Sequence, residues 1–123
     1  LSYSTFGNPS GKWLENIREA VHILDKEDVG FEYEGEMAPD AALNPKVMAY
    51  YPFSRLSAPA NVLIMPGLQS ANLSAKLLRE LAGASVIGPM LVGMEKPVQI
   101  APMTSIAPDV LTLAVLASAG VVG

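Results

Sequence analysis

The chain has 123 residues, half of them hydrophobic and only 16% charged, with no cysteine and a formal net charge of −4. That length sets an expectation of one domain, residues 1–123, and that composition excludes a disordered segment, a disulfide scaffold, cysteine-based zinc sites and thiol catalysis. Eight lysines and arginines against twelve acids leave no basic stripe to neutralise phosphates, which excludes nucleic acid as a partner.

The elements alternate along the chain. Residues 1–5 read as a strand, and Gly7-Asn8-Pro9-Ser10-Gly11 as a turn. Trp13, Leu14, Ile17, Ala20, Val21 and Leu24 recur at helical spacing, and Gly30 closes that region. Phe31 to Met37 alternates apolar and acidic residues, the pattern of a strand with one wet face. Pro39 and Asp40 open a short helix that runs to Met48, with a break at Asn44-Pro45, and Pro52 ends it. Ala60 to Met65 is a continuous apolar run, as expected of a strand buried on both faces of a parallel sheet. Pro66-Gly67 terminates it, Ser70 or Asn72 caps a helix over 73–81, and Gly83 stops that helix. Short strands follow at 86–87, 90–92 and 98–101, and Pro108-Asp109 introduces the last helix.

Strand and helix in alternation give an α/β fold: an open, mostly parallel sheet with helices on both faces. The most apolar stretch, Val110 to Val122, is shorter than the roughly 20 residues a bilayer span needs, so we expect a buried helix and no membrane partner. The chain begins on Leu1, already in a strand-like segment, with no basic region and apolar run before it. We therefore expect a fragment of a larger cytoplasmic chain. The apolar excess points to a homo-oligomer interface or a companion domain.

Gly7 to Trp13 superficially suggests a phosphate loop, but three residues separate the glycines where four are required, and Trp13 replaces the hydroxyl. Glu32, Glu34 and Glu36 fall on one strand face, with Asp40 nearby, and could hold a hard cation; a solvated face accounts for them better, and no metal site is assigned. His22, the only histidine, lies in an amphipathic helix without a serine or cysteine partner at readable spacing. The segment from Met65 to Leu73 carries more. A buried strand ends, the chain turns on glycine, and small polar residues lead into a helix bearing Lys76. Open α/β sheets bind ligands at the carboxyl ends of their strands, and free N–H groups at a helix start attract anions.

At this point the residues resemble a family. Asp40-Ala41-Ala42-Leu43, Ala60-Asn61-Val62-Leu63-Ile64, Asn72 with Lys76-Leu77, Ile87-Gly88-Pro89 and Gly93 with Lys96-Pro97-Val98 occur in this order in phosphate acetyl/butyryl transferases. The match covers nearly the whole chain and roughly the last third of a complete transferase. Tyr51-Pro52-Phe53-Ser54-Arg55-Leu56, Met65-Pro66-Gly67-Leu68, Leu91-Val92-Gly93 and Val98-Gln99-Ile100 resemble one branch more closely, the transferase-like C-terminal domain of bacterial NADP-dependent malic enzymes. Active transferases carry a Ser-Arg-Gly motif after the Lys-Pro-Val strand; here the positions read Pro102-Met103-Thr104, while Asp109 matches the family's functional aspartate.

The resemblance implies one subdomain of a phosphotransacetylase-like fold, serving as a non-catalytic regulatory domain that senses acetyl-CoA and assembles a malic enzyme. The candidate acetyl-CoA residues it implies are Gly67, Ser70, Asn72, Lys76, Gly93, Pro102, Met103 and Asp109, with no catalytic residue. Malate oxidation, NADP and a divalent metal would belong to an upstream part, since the glycines at 83, 88 and 93 lack the spacing of a dinucleotide fingerprint. The alternative is an active acyltransferase passing an acetyl or butyryl group between phosphate and CoA. Loss of the Ser-Arg pair speaks against it, because it removes the guanidinium fork that would stabilise transferring phosphate oxygens.

Overall fold

The structure, a computed structural model, describes residues 1–119, so residues 120–122 of the expected C-terminal helix lie outside the described residues. The chain divides into two compact units, Leu1–Leu73 and Ser74–Gly123.

In the first unit an extended N-terminal segment runs against residues 36–38. Ser2 N–H donates to the Met37 carbonyl at 2.8 Å, Phe6 N–H to the Glu36 carbonyl at 3.0 Å, and Ala38 N–H to Thr5 Oγ1 at 2.9 Å. These bonds hold the two segments together without forming a regular ladder. A tight turn follows, closed by the isolated bridge between Thr5 and Asn8. A 3₁₀ turn, Lys12–Leu14, leads into helix α1, Glu15–Leu24. Leu14 is fully buried, and Ile17, Val21 and Leu24 are half-buried on the same side. α1 ends well before Gly30, where Lys26 N–H and Glu27 N–H bond back to the Ile23 and Leu24 carbonyls and tighten the last turn.

Helices α2, Pro39–Leu43, and α3, Pro45–Met48, meet at the break the sequence suggests. Pro45 cannot donate into α2, and the Asn44 side chain accepts Lys46 N–H at 3.0 Å to cap α3. Met37, Ala41 and Ala42 are the buried centre of this unit, with Leu1, Phe6, Tyr51, Leu56 and Leu63 packed around them. Phe6 has a φ of 48°, an unfavourable region for an aromatic residue. Its ring is held 4.9 Å from that of Phe53 and 5.4 Å from that of Tyr51, centroid to centroid.

The segment 60–65 differs most from expectation. It is extended, but Val62 and Ile64 are 69% and 74% exposed rather than buried on both faces. Ala60 N–H bonds the Ala42 carbonyl at 2.9 Å and the Leu1 ammonium bonds the Ile64 carbonyl, yet the N–H groups of 61–65 find no partner among the described residues. A strand exists only through its neighbours, and the first unit supplies none alongside this segment.

Helix α4, Leu68–Ala82, begins in the first unit and continues into the second. It starts five residues earlier than expected. Gly67 serves the first turn, accepting Ala71 N–H at 3.1 Å, and the Ser70 hydroxyl donates back to the same carbonyl at 2.7 Å. Ser70 and Asn72 thus lie inside the helix and do not cap it. Gly83, with a φ of +60°, terminates it as expected. In the second unit the segments 86–87, 90–92 and 98–101 make one isolated bridge, Met90 to Gln99. No strand forms among the described residues, so the helical half of the α/β expectation is realised here and the sheet is not.

Helix α5, Ala107–Ala119, closes the described chain. Leu113 is its buried residue, whereas Val110, Leu111 and Val115 are exposed, so this is not the buried helix its composition suggests. Among the described residues no helix is long and apolar enough to cross a membrane.

Candidate functional site

In the second unit the last turns of α4, the loop 84–88, the turn 102–105 and the start of α5 surround a groove of about 470 Å³. Its polar wall is Arg79, Ser85, Thr104, Ser105, Asp109 and Thr112; its apolar wall includes Val86, Ile87, Pro102 and Leu113. The turn is set by Ser105 N–H, which bonds the Pro102 carbonyl at 2.9 Å. α5 then begins with a reciprocal lock: Asp109 N–H bonds the Ile106 carbonyl at 3.0 Å, and Asp109 Oδ2 accepts Ile106 N–H at 3.0 Å. This is the acidic half of a capping box. The Thr112 hydroxyl donates to the Pro108 carbonyl at 2.9 Å. Arg79, exposed near the end of α4, lines the groove and forms no ion pair among the described residues.

Of the residues singled out from the sequence, the groove gathers Pro102 and Asp109. Met103 points away and is fully exposed. Lys76 is exposed on α4 and does not line the groove. Gly93 sits in a loop with a φ of +76°, a conformation that favours glycine. In the first unit Gly67 and Ser70 are joined by the hydroxyl-to-carbonyl bond, and Asn72 is exposed on α4. Arg79 was not visible as a site residue in the sequence. It lies three positions after Lys76, and its only signal is that it is the basic residue of the last turn before Gly83.

The first unit has a second depression, lined by Phe6, Ser10, Arg18, His22 and Glu36 among others. Here the acidic cluster departs from its expected wet face. Glu36 is 1% exposed. Its Oε1 accepts Ser4 Oγ at 2.7 Å, Gly7 N–H at 3.0 Å and Arg18 Nη2 at 2.9 Å, and its Oε2 accepts Arg18 Nε at 2.9 Å. Burial alone would raise its pKa, but the bonds from Arg18, Ser4 and Gly7 outweigh that and hold it below the usual carboxylate range. Glu32 accepts both the N–H and hydroxyl of Ser57 at 2.9 Å, and Arg55 bonds Asp25 and Glu34 while covering the Tyr33 ring. Those bonds hold Glu32 and Asp25 below, and Arg55 above, their ordinary values. The carboxylates clip backbone segments together. Among the described residues no group of three His, Cys, Asp or Glu is placed to hold a metal ion. His22 Nδ1 lies 3.5 Å from Asp25 on the outer side of α1.

The profile of the family described as phosphate acetyl/butaryl transferase matches residues 1–118, and the chain belongs to that family. Within it, the chain is 58% identical to an NADP-dependent malic enzyme of Rhizobium meliloti, over 96% of this chain and 16% of that protein. It is 46% identical to a probable NADP-dependent malic enzyme of Rickettsia prowazekii, over 95% of this chain and 17% of that protein. The chain therefore spans about a sixth of the length of these relatives. Among solved structures it is similar to the EutD phosphotransacetylase from Staphylococcus aureus, with a TM-score of 0.86 and 29% identity, covering 97% of this chain and 38% of that one. The fold is phosphotransacetylase-like.

Proposed function

We infer that the chain is a regulatory, non-catalytic part of an NADP-dependent malic enzyme, which senses acetyl-CoA and helps to assemble the subunits. The observation that carries this reading is the 58% identity to a protein of that name, along nearly the whole chain. Pro102 and Met103 support the non-catalytic half: a ring without a hydroxyl and a fully exposed thioether stand where the resembled transferases have serine and arginine. The leucines of α4 support assembly, since Leu73, Leu77 and Leu81 follow at helical spacing and are all exposed. The extended segment at 60–65, which has no strand beside it, and that at 98–101, which makes only the bridge from Gln99 to Met90, fit a larger open sheet completed by residues from elsewhere. Malate oxidation, NADP and its metal would then be the work of the remaining five-sixths of the parent protein, in the cytoplasm.

The test uses the full-length protein. Acetyl-CoA is expected to change the rate of malate-dependent NADP reduction, and Lys76→Ala to weaken acetyl-CoA binding roughly ten- to a hundredfold, the worth of one charge-assisted phosphate contact. Unchanged affinity in that variant, with its assembly preserved, removes Lys76 from the site. The alternative, an active phosphate acyltransferase, draws on Asp109 being retained at the groove beside Pro102. Turnover of acetyl phosphate with CoA above background would move the assignment to it.

A further inference from the structure

We propose that residues 26–35 form a strap that opens and closes on the first unit, latched by Arg55 through bonds whose strength the ionic strength controls. The strap is attached almost wholly through polar groups. No residue from 25 to 35 is buried, whereas Glu36 and Met37, which follow, are 1% and 2% exposed. Among the described residues, no N–H or carbonyl from 30 to 35 bonds to another backbone group. Between its two ends the strap is bonded to the loop 54–57, and every hydrogen bond from that loop ends on a carboxylate. Arg55 N–H and Nη2 donate to Glu34 at 2.9 and 3.2 Å, and Arg55 Nη1 donates to Asp25 at 2.6 Å. The N–H and the hydroxyl of Ser57 both donate to Glu32 at 2.9 Å. The guanidinium also lies 4.6 Å from the centre of the Tyr33 ring, whose hydroxyl donates to the same Asp25 at 2.9 Å.

The two sides of the latch differ in how they are fixed. The loop is tied to the core: Leu56 packs against the cluster of Met37, Ala41 and Ala42, and Ser54 N–H bonds the Tyr51 carbonyl at 2.9 Å. The strap has no such anchor, and a segment with few buried groups and no backbone ladder opens at a small fraction of the global unfolding free energy. Its ionic partners face water, with the Arg55 and Asp25 side chains 43% and 40% exposed, so dissolved salt weakens their attraction. Two carboxylates and an aromatic face shared by one guanidinium exceed what an ammonium can satisfy. His22, with Nδ1 3.5 Å from Asp25, is the other basic group beside these carboxylates among the described residues. The strap ends at Gly35, where an added Cβ would lie 3.2 Å from Val21 of α1, and both residues line the depression that holds Arg18. Opening therefore uncovers that side of α1 and widens the depression. The device uses none of the candidate acetyl-CoA residues.

The experiment is amide hydrogen exchange on the full-length protein, resolved to single residues by mass spectrometry, in about 0.05 M and about 1 M sodium chloride. The reporting amides are those of Arg55 and Ser57, whose acceptors are Glu34 and Glu32, so they lose protection when the strap lifts. Raising the salt should speed their exchange about threefold and speed tryptic cleavage after Lys26 in parallel. Arg55→Met should speed both roughly tenfold in low salt and leave little further response to salt. Arg55→Lys should fall between the two, and Lys46→Gln on α3 should match wild type. The amides of Ala42 and Asn44, bonded to the Ala38 and Asp40 carbonyls, should not change in any of these samples. Circular dichroism melting of each variant confirms that it is folded, and the lysine variant carries the test should the methionine variant not fold. Equal rates in wild type and Arg55→Met overturn the proposal, as do rates that ignore salt. Exchange at Arg55 and Ser57 that rises only together with that at Ala42 and Asn44 overturns it too, since the strap would then not open by itself.

Discussion

Replacing Glu36 by glutamine would test the arrangement on which the first unit depends. The substitution keeps the shape of the side chain and removes its charge. In the native protein the carboxylate accepts four bonds, from Ser4, Gly7 and twice from Arg18, at 2.7 to 3.0 Å. An amide has one oxygen to accept and an NH₂ that must face donors, so at least one donor is left without an acceptor: Arg18 Nε if the amide oxygen takes the Oε1 place, the Gly7 N–H if it takes the other. A buried donor without a partner costs about 1–3 kcal/mol, and losing the charge weakens each remaining bond. Breaking a fully buried ion pair costs about 3–5 kcal/mol. The Arg18 side chain, however, is 44% exposed and can return to water, which places the expected loss nearer 2–3 kcal/mol. At about 3–5 °C per kcal/mol for a chain of this size, Tm should fall by roughly 6–15 °C. The assay is urea and thermal unfolding followed by circular dichroism, with the double variant Arg18→Met/Glu36→Leu as companion. That apolar pair should recover part of the loss, because neither charge is then stranded. A Glu36→Gln protein within about 0.5 kcal/mol of wild type would refute the reasoning, since four well-formed bonds would then contribute nothing.

Other outcomes follow from the same geometry. Because Glu36 is held below its ordinary value, its contribution should be complete above about pH 4.3 and disappear as the pH falls through the lower folded value; the stability gap between wild type and Glu36→Gln should stay level from pH 8 to 5 and narrow below pH 4. Gly93→Ala should cost about 1–2 kcal/mol from backbone conformation alone, as no atom lies within 4 Å of the added Cβ at a φ of +76°. Gly30→Ala, also in open space but without a positive φ, should be neutral or slightly stabilising in the same urea titrations. Asp109→Ala should destabilise by about 1 kcal/mol through loss of the Ile106 bond, and Asp109→Asn should retain most of it.

Local chemistry made some of the structure readable in advance. The break at Asn44-Pro45 and the stop at Gly83 follow from a missing N–H and a permissive φ, properties of single residues. The family was legible for a similar reason, through short motifs in a fixed order. What the sequence did not disclose is convergence over distance. Glu36 alternates with Phe31, Tyr33 and their acidic neighbours and so reads as solvated; its burial depends on Ser4, Gly7 and Arg18, which lie 32, 29 and 18 positions away. Motif order singles out Lys76 rather than Arg79, because a motif marks positions in the chain, whereas a groove is defined by what the chain brings back to it. The sheet was expected from hydrophobicity, yet hydrophobic runs only offer a strand, and the partner that would pair with it must come from other residues.

The extended run at 60–65 has a consequence for handling the protein. Ala-Asn-Val-Leu-Ile-Met is a six-residue window without charge or proline, rich in β-formers, and it presents free N–H groups and the outward side chains of Val62 and Ile64. Such a stretch is a template for cross-β stacking between identical chains. Prepared apart from whatever covers this segment, the polypeptide should form fibrillar aggregates that bind amyloid dyes, and Val62→Lys should delay their appearance.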